Sequence, residues 1–216
     1  MKKFGAYFFY SLTRFAVSLM LIILVFGISL SNAQVINQED SLKNKTFKMT
    51  TLTFGGNGVS FTKINNQFSV MTGGRGSATF NNRYTIGGGG WGMIKGVEVE
   101  SISEGIYNFV KMGYGGIDLG YLVLNREKFM LGTKLLIAGG AVFKETVPES
   151  KGNGFKLFPV LEPTVYYQIS LNKLFRLEMG ASYRYVRGTN LPYISDSNLG
   201  GFSFYVGFLV SACKCN

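Results

Sequence analysis

Seven ionisable side chains, Arg75, Asp118, Lys134, Glu162, Arg176, Glu178 and Arg184, fall inside stretches that otherwise alternate apolar residues with small or polar ones. Asp118, Glu162 and Glu178 are of the residue type from which a paired general acid and base is built. Three arginines and a lysine share their face, so ion pairing is the expected role of all seven. The chain contains no His. That removes the schemes in which an imidazole shuttles the proton of a nucleophile near neutral pH, and the expectation is a protein that is not an enzyme.

Two other motifs invite chemistry. The run Gly87-Gly88-Gly89-Gly90-Trp91-Gly92 spells G-x-G-x-x-G, but a dinucleotide fingerprint must open a helix. Val97, Glu98, Val99 and Glu100 follow instead, with no helical face, so the run reads as lumen-facing glycines with a Trp near an interface. Cys213 and Cys215 form a C-x-C at the chain's end, a poor metal site without His, and read as a strained local disulfide or two idle thiols. No cofactor and no metal are expected.

The elements that must position the seven charges are strands. Within 155–188, one face carries Phe155, Leu157, Pro159, Leu161, Pro163, Val165, Tyr167, Ile169 and Leu171, and the other Lys156, Phe158, Val160, Glu162, Thr164, Tyr166, Gln168 and Ser170. After Asn172 and Lys173 the pattern resumes, with Phe175, Leu177, Met179, Ala181, Tyr183 and Tyr185 against Arg176, Glu178, Gly180, Ser182 and Arg184. This is a hairpin of period 2, with arms far longer than the ~5–6 residues of an ordinary strand. Whether its tyrosines form an aromatic girdle or fill an interior is not fixed by the period.

The same reading gives a strand over 47–64, bent or bulged near Gly55 to Gly58, and others over 68–80, 84–95, 108–124 and 129–143. With the hairpin and a last strand over 199–210, the count is eight. From the second strand onward the connections alternate short and long: 81–83, 96–107, 125–128, 145–154, 172–173 and 190–198. Outer-membrane barrels have short periplasmic turns, longer outer loops and an even number of strands. Only the two-residue turn at Asn65 and Asn66 departs from that alternation.

Residues 1–33 have the outline of a secretory signal peptide: Lys2, Lys3 and Arg14, an apolar run over 15–30, and Ser31-Asn32-Ala33 before Gln34. A membrane anchor helix is the rival reading, the run being about as long as the shortest spanning helix. Residues 34–46 read as a periplasmic lead-in, 47–212 as the barrel and 213–216 as a C-terminal tail. Three of the 22 basic residues and none of the 12 acidic ones lie in the leader, so the net charge of +10 falls to +7 without it. The cations are dispersed, which argues against nucleic acid. They fit a solvated surface or attraction to anionic headgroups and lipopolysaccharide.

Orientation decides between a membrane barrel and a soluble cup. A charge facing lipid at mid-depth costs about 2–4 kcal/mol, so the apolar rows face out and the seven charges face a narrow lumen. Eight strands leave room for side chains or one small ligand, and no wide pore is expected. The expected fold class is therefore all-β, an eight-stranded antiparallel up-and-down transmembrane β-barrel.

The segments GYGGIDLGYLVLNREKFMLGTKLLIAGGAV and LEPTVYYQISLNKLFRLEMGASYRYVRGTNLPYISDSNLGGFSF resemble a family of small outer-membrane β-barrel proteins of Bacteroidetes-type bacteria. The likeness covers roughly 61–210 and is firmest at Glu162-Pro163, at the L-N-K-L-F-R hairpin and over 182–188. It implies a place in the cell outer membrane, insertion by the barrel assembly machinery, and no agreed activity. Such barrels tend to close on an aromatic residue, whereas here six residues ending in Asn216 follow the last strand.

The expected role is that of a monomeric, non-enzymatic barrel, structural or surface-binding, meeting outer-membrane lipid and lipopolysaccharide. An extracellular partner would be met through the long loops, near Glu98 to Glu104 and Tyr193 to Asp196. The alternatives are a carrier of one small ligand or lipid in the lumen, or a lipid hydrolase that works without His.

Overall fold

The strand periods close into a ring. The computed structural model describes residues 49–99, 107–147 and 155–212, so the leader, the lead-in, the tail and its two cysteines lie outside the described residues. The strands are β1 (Met49–Ile64), β2 (Gln67–Phe80), β3 (Tyr84–Met93), β4 (Val97–Val99), β5 (Tyr107–Asn125), β6 (Phe129–Val147), β7 (Phe155–Ser170), β8 (Phe175–Val186) and β9 (Gly201–Ala212). A single helical turn, α1 (Asp196–Leu199), precedes β9.

Neighbouring strands pair antiparallel, β1 pairs with β9, and β3 pairs with β5, so eight strands close with no free edge. Closure satisfies the backbone donors and acceptors within the wall, as a bilayer requires. The short β4 continues the line of β3 along β5, with Val97 opposite Val110. Part of the segment expected to be a loop over 96–107 is thus strand, because Val97 and Val99 both turn inward and are buried.

Turn chemistry fixes the register. Asn65 and Asn66 have φ of 50° and 59°, and Asn81 and Asn82 have 50° and 56°. Asn tolerates this left-handed region, and two such residues in succession match the twist of a tight hairpin. At the foot of the β7–β8 hairpin the Asn172 carboxamide oxygen accepts from the amides of Leu174 and Phe175 at 2.8 and 2.7 Å. The expected bulge in β1 lies between Thr53 and Gly56. The β7–β8 ladder skips 162–163, where Pro163 has no N–H to give.

All eight positions in the ring expose apolar side chains outward, among them Phe61, Phe68, Ile86, Ile117, Ile137, Leu161, Met179 and Phe204. Such a belt far exceeds the apolar patches of soluble monomers, and it suits lipid. Outward ring pairs gather at its two ends. Tyr84–Tyr121 and Phe129–Tyr167 lie at the end carrying the short turns, while Phe61–Phe68, Phe143–Phe155 and Tyr183–Phe202 lie at the other. Tyr167, Tyr183 and Tyr185 therefore belong to the wall, and Tyr166 is buried in the lumen.

Candidate functional site

The lumen is filled in layers. In its middle, Lys134 Nζ lies 2.8 Å from Glu178 Oε1, and Arg75 Nη1 lies 3.8 Å from the same oxygen and 3.9 Å from Asp118 Oδ2. Glu178 also accepts from the Tyr205 hydroxyl at 2.8 Å and from Gln168 at 2.6 Å. Aromatic faces complete the cation sites: Arg75 lies over Tyr205 and Trp91, 4.7 and 5.4 Å from the ring centres, and Lys134 lies 4.2 Å from that of Tyr166. Glu178 thus serves both cations, Asp118 shares Arg75, and the rings add further negative potential.

Glu162 and Arg184 form a second group nearer the loop end. The Ser182 hydroxyl donates to Glu162 at 2.5 Å, and Tyr114 bonds Glu162 and also accepts from Arg184 at 3.4 Å. Among the described residues no carboxylate lies within 4 Å of Arg184. Its side chain crosses the lumen from β8 to donate to Thr62 on β1 at 3.3 Å, approaches the sulfur of Met71 on β2 at 3.4 Å, and reaches the Leu199 carbonyl at 2.9 Å. Arg176 stands apart, half-buried, with its guanidinium 3.8 Å from the sulfur of Met130. Of the seven charges, four meet in one network, two are linked through a phenol, and one is separate.

Beyond Arg184 the lumen turns apolar. Ile64, Val110, Val142, Val160 and Val186 are fully or almost fully buried there, together with Ile194 and Leu199 from the connection before β9. The inward face is therefore less polar than the alternation suggested, since an inward valine and an outward one look alike in sequence. Trp91 is also inward, at 5% exposure, and does not lie at an interface. Of the glycines beside it, Gly89 packs against Arg75 Cβ inside, whereas Gly88 and Gly90 lie on the outward alternation with Ile86.

Large inward rings are seated on glycines, a relation that single-strand reading could not find. Gly73 faces Trp91, Gly132 faces Tyr166, Gly140 faces Phe158 and Gly180 faces Tyr205, each pair directly opposite on neighbouring strands. A Cβ on any of these four glycines would stand 2.6–2.7 Å from the ring it faces. The signal was present as glycines scattered through β2, β6 and β8, but its meaning needed the register.

Two cavities border the ionic layer, of about 20 and 10 Å³, the larger with room for about one water. A wider hollow of about 720 Å³ lies along the wall at Gly113, Gly115, Gly139, Ala141, Leu157 and Pro159. Among the described residues no group of acidic and sulfur side chains is arranged to hold a metal.

No protein-family model and no curated protein matches this chain. Among solved structures, the Neisserial surface protein A matches with a TM-score of 0.52 at 10% identity, over 77% of this chain and 99% of that one. The attachment invasion locus protein of Yersinia pestis, Ail, solved with the heparin analogue sucrose octasulfate, matches with 0.50 at 13% identity, over 77% of this chain and all of that one. The fold is that of small outer-membrane β-barrels. An apolar belt around a closed eight-stranded ring, with ionic residues inside, places the protein in the outer membrane.

Proposed function

We propose that the protein is a non-enzymatic barrel of the outer membrane, structural or surface-binding, which works through its outer rim and conducts nothing through its lumen. The observation that carries this reading is the side-chain layer at Arg75, Asp118, Lys134 and Glu178, where the adjoining cavities hold about one water at most. The carboxylates give little support to hydrolysis. Asp118 and Glu178 both face Arg75, and Glu162 is bonded by Ser182 and Tyr114.

The rest of the proposal concerns context. Residues 1–33 act as the signal peptide, the assembly machinery inserts the barrel, and the origin is a Bacteroidetes-type bacterium, as the sequence resemblance implies. The barrel is a monomer that meets lipopolysaccharide at its outer edge, where Lys63, Lys95, Lys156 and Arg187 are exposed. An extracellular partner meets the loops near Glu98 and over 193–196.

Planar-bilayer recording on the purified protein tests the closed lumen, with surface labelling of an epitope placed in 193–196 on intact cells. The expected result is no unitary conductance together with labelling from outside. Stepwise conductance, or labelling only after lysis, overturns the proposal.

A further inference from the structure

Arg184 is fully buried, and no described carboxylate lies within 4 Å of it. A guanidinium is shaped for a planar oxyanion, which it binds through paired donors. Here its Nε edge is given to one main-chain carbonyl, that of Leu199, at 2.9 Å. That carbonyl arrives from the connection between β8 and β9, and not from a strand.

The same connection fills the space outward of Arg184. Ile194 and Leu199, at 4% and 0% exposure, pack among Ile64, Val160 and Val186 of the barrel wall. Without them the outer lumen would be an apolar chamber with a guanidinium at its floor.

The connection is also held together by its own hydrogen bonds. Its fastening is largely internal: the Asp196 carboxylate accepts from the Gly188 amide at 2.7 Å, from the Thr189 amide at 3.0 Å and from the Thr189 hydroxyl, and Leu191 bridges Ile194. To the barrel it is tied by Arg184 and by Asn65, whose amide donates to the Asn198 carbonyl at 2.8 Å and whose side chain accepts from that of Asn198 at 3.2 Å. Lys144 lies over the Tyr193 ring at 5.2 Å.

We propose that residues 187–200 form a displaceable stopper over a binding site for a medium-chain carboxylate. The carboxylate takes the place of the Leu199 carbonyl on Arg184. The alkyl chain, about eight carbons long, takes the space of the two four-carbon side chains of Ile194 and Leu199 in a close-packed chamber. The site opens to the outside and stops at the floor that Arg184, Thr62 and Tyr114 make. It goes beyond the surface role above and does not rest on it.

The test is calorimetric titration of octanoate, and of octanol as the uncharged probe, into the full chain held in lipid nanodiscs, with empty discs subtracted. A Cys213→Ser, Cys215→Ser background then carries Asn65→Cys with Asn198→Cys, a disulfide that pins the stopper. Saturable octanoate binding is expected, about tenfold weaker for octanol and for Arg184→Gln, abolished by the disulfide and restored on reduction. Should the wild type not bind, Asp196→Ala, which loosens the stopper, is expected to do so. No binding by either protein, or binding indifferent to the disulfide, overturns the proposal, and the second outcome means partition into the wall. The disulfide arm decides even where Arg184→Gln fails to fold.

Discussion

Gly140 and Phe158 lie opposite each other on β6 and β7, and the phenyl ring stands 2.6 Å from where a methyl on Gly140 would be. One residue earlier, a methyl on Gly139 would have nothing within 4 Å. Two adjacent glycines thus do opposite work: one makes a seat, the other only a bare wall.

Gly140→Ala is therefore expected to destabilise the barrel by about 1–3 kcal/mol, the usual cost of overpacking, and Gly139→Ala to be neutral or slightly stabilising. Urea unfolding from lipid vesicles measures both. Equal losses at the two positions would contradict the seating of rings on glycines.

Glu178 neutralises Lys134 and Arg75 together. Glu178→Leu takes the carboxylate from buried Lys134 and leaves Arg75 with Asp118 alone, and is expected to cost about 3–5 kcal/mol. Adding Lys134→Met should recover part of that loss. Unfolding can be followed by the fluorescence of Trp91, the chain's single Trp, whose ring lies 5.4 Å from the Arg75 guanidinium carbon. No recovery in the double variant would argue that Glu178 acts through its bonds to Tyr205 and Gln168 instead.

Ile137 faces outward at 48% exposure near the middle of β6. Ile137→Lys puts an ammonium into the hydrocarbon and is expected to cost about 2–4 kcal/mol. Ser77→Asp, beside Arg75 and Lys134 in the lumen, should fold far more readily. Refolding yields in vesicles, read as heat-modifiable gel mobility, separate the two. Similar yields would reverse the assignment of faces.

The Thr189 hydroxyl and the amides of Gly188 and Thr189 hold the Asp196 carboxyl below the usual carboxylate range. A depressed acid contributes stability above its unfolded pKa of about 3.9 and loses it as pH falls through the lower folded value. The connection before β9 should therefore stay folded between pH 5 and 7, at about the same strength, and loosen only below about pH 4. Hydrogen exchange at Gly188 and Thr189 reads this directly. Asp196→Ala should show the loosened state at neutral pH, and protection that is already lost by pH 5 would contradict the sign.

Period 2 is a local property, because successive side chains on a strand point to opposite faces whatever the strand pairs with. Hence the rows over 155–188, the eight strands and the Asn turns could be read along the chain. The strand β4 could not, since three residues after Gly96 carry too short a period to separate from a loop. Trp91 could not be placed either, as its neighbours on both sides are glycines and give no face to compare it with.

The sequence by itself determined which residues could stand in lipid and which could not, because transfer of a charge into hydrocarbon is costly at any register. Only the tertiary structure decided who meets whom across the axis. Closure and strand tilt set that height, so Lys134 reaches Glu178 on a strand that is not its neighbour, Arg184 finds a carbonyl 15 residues along the chain, and Arg176 meets the sulfur of Met130.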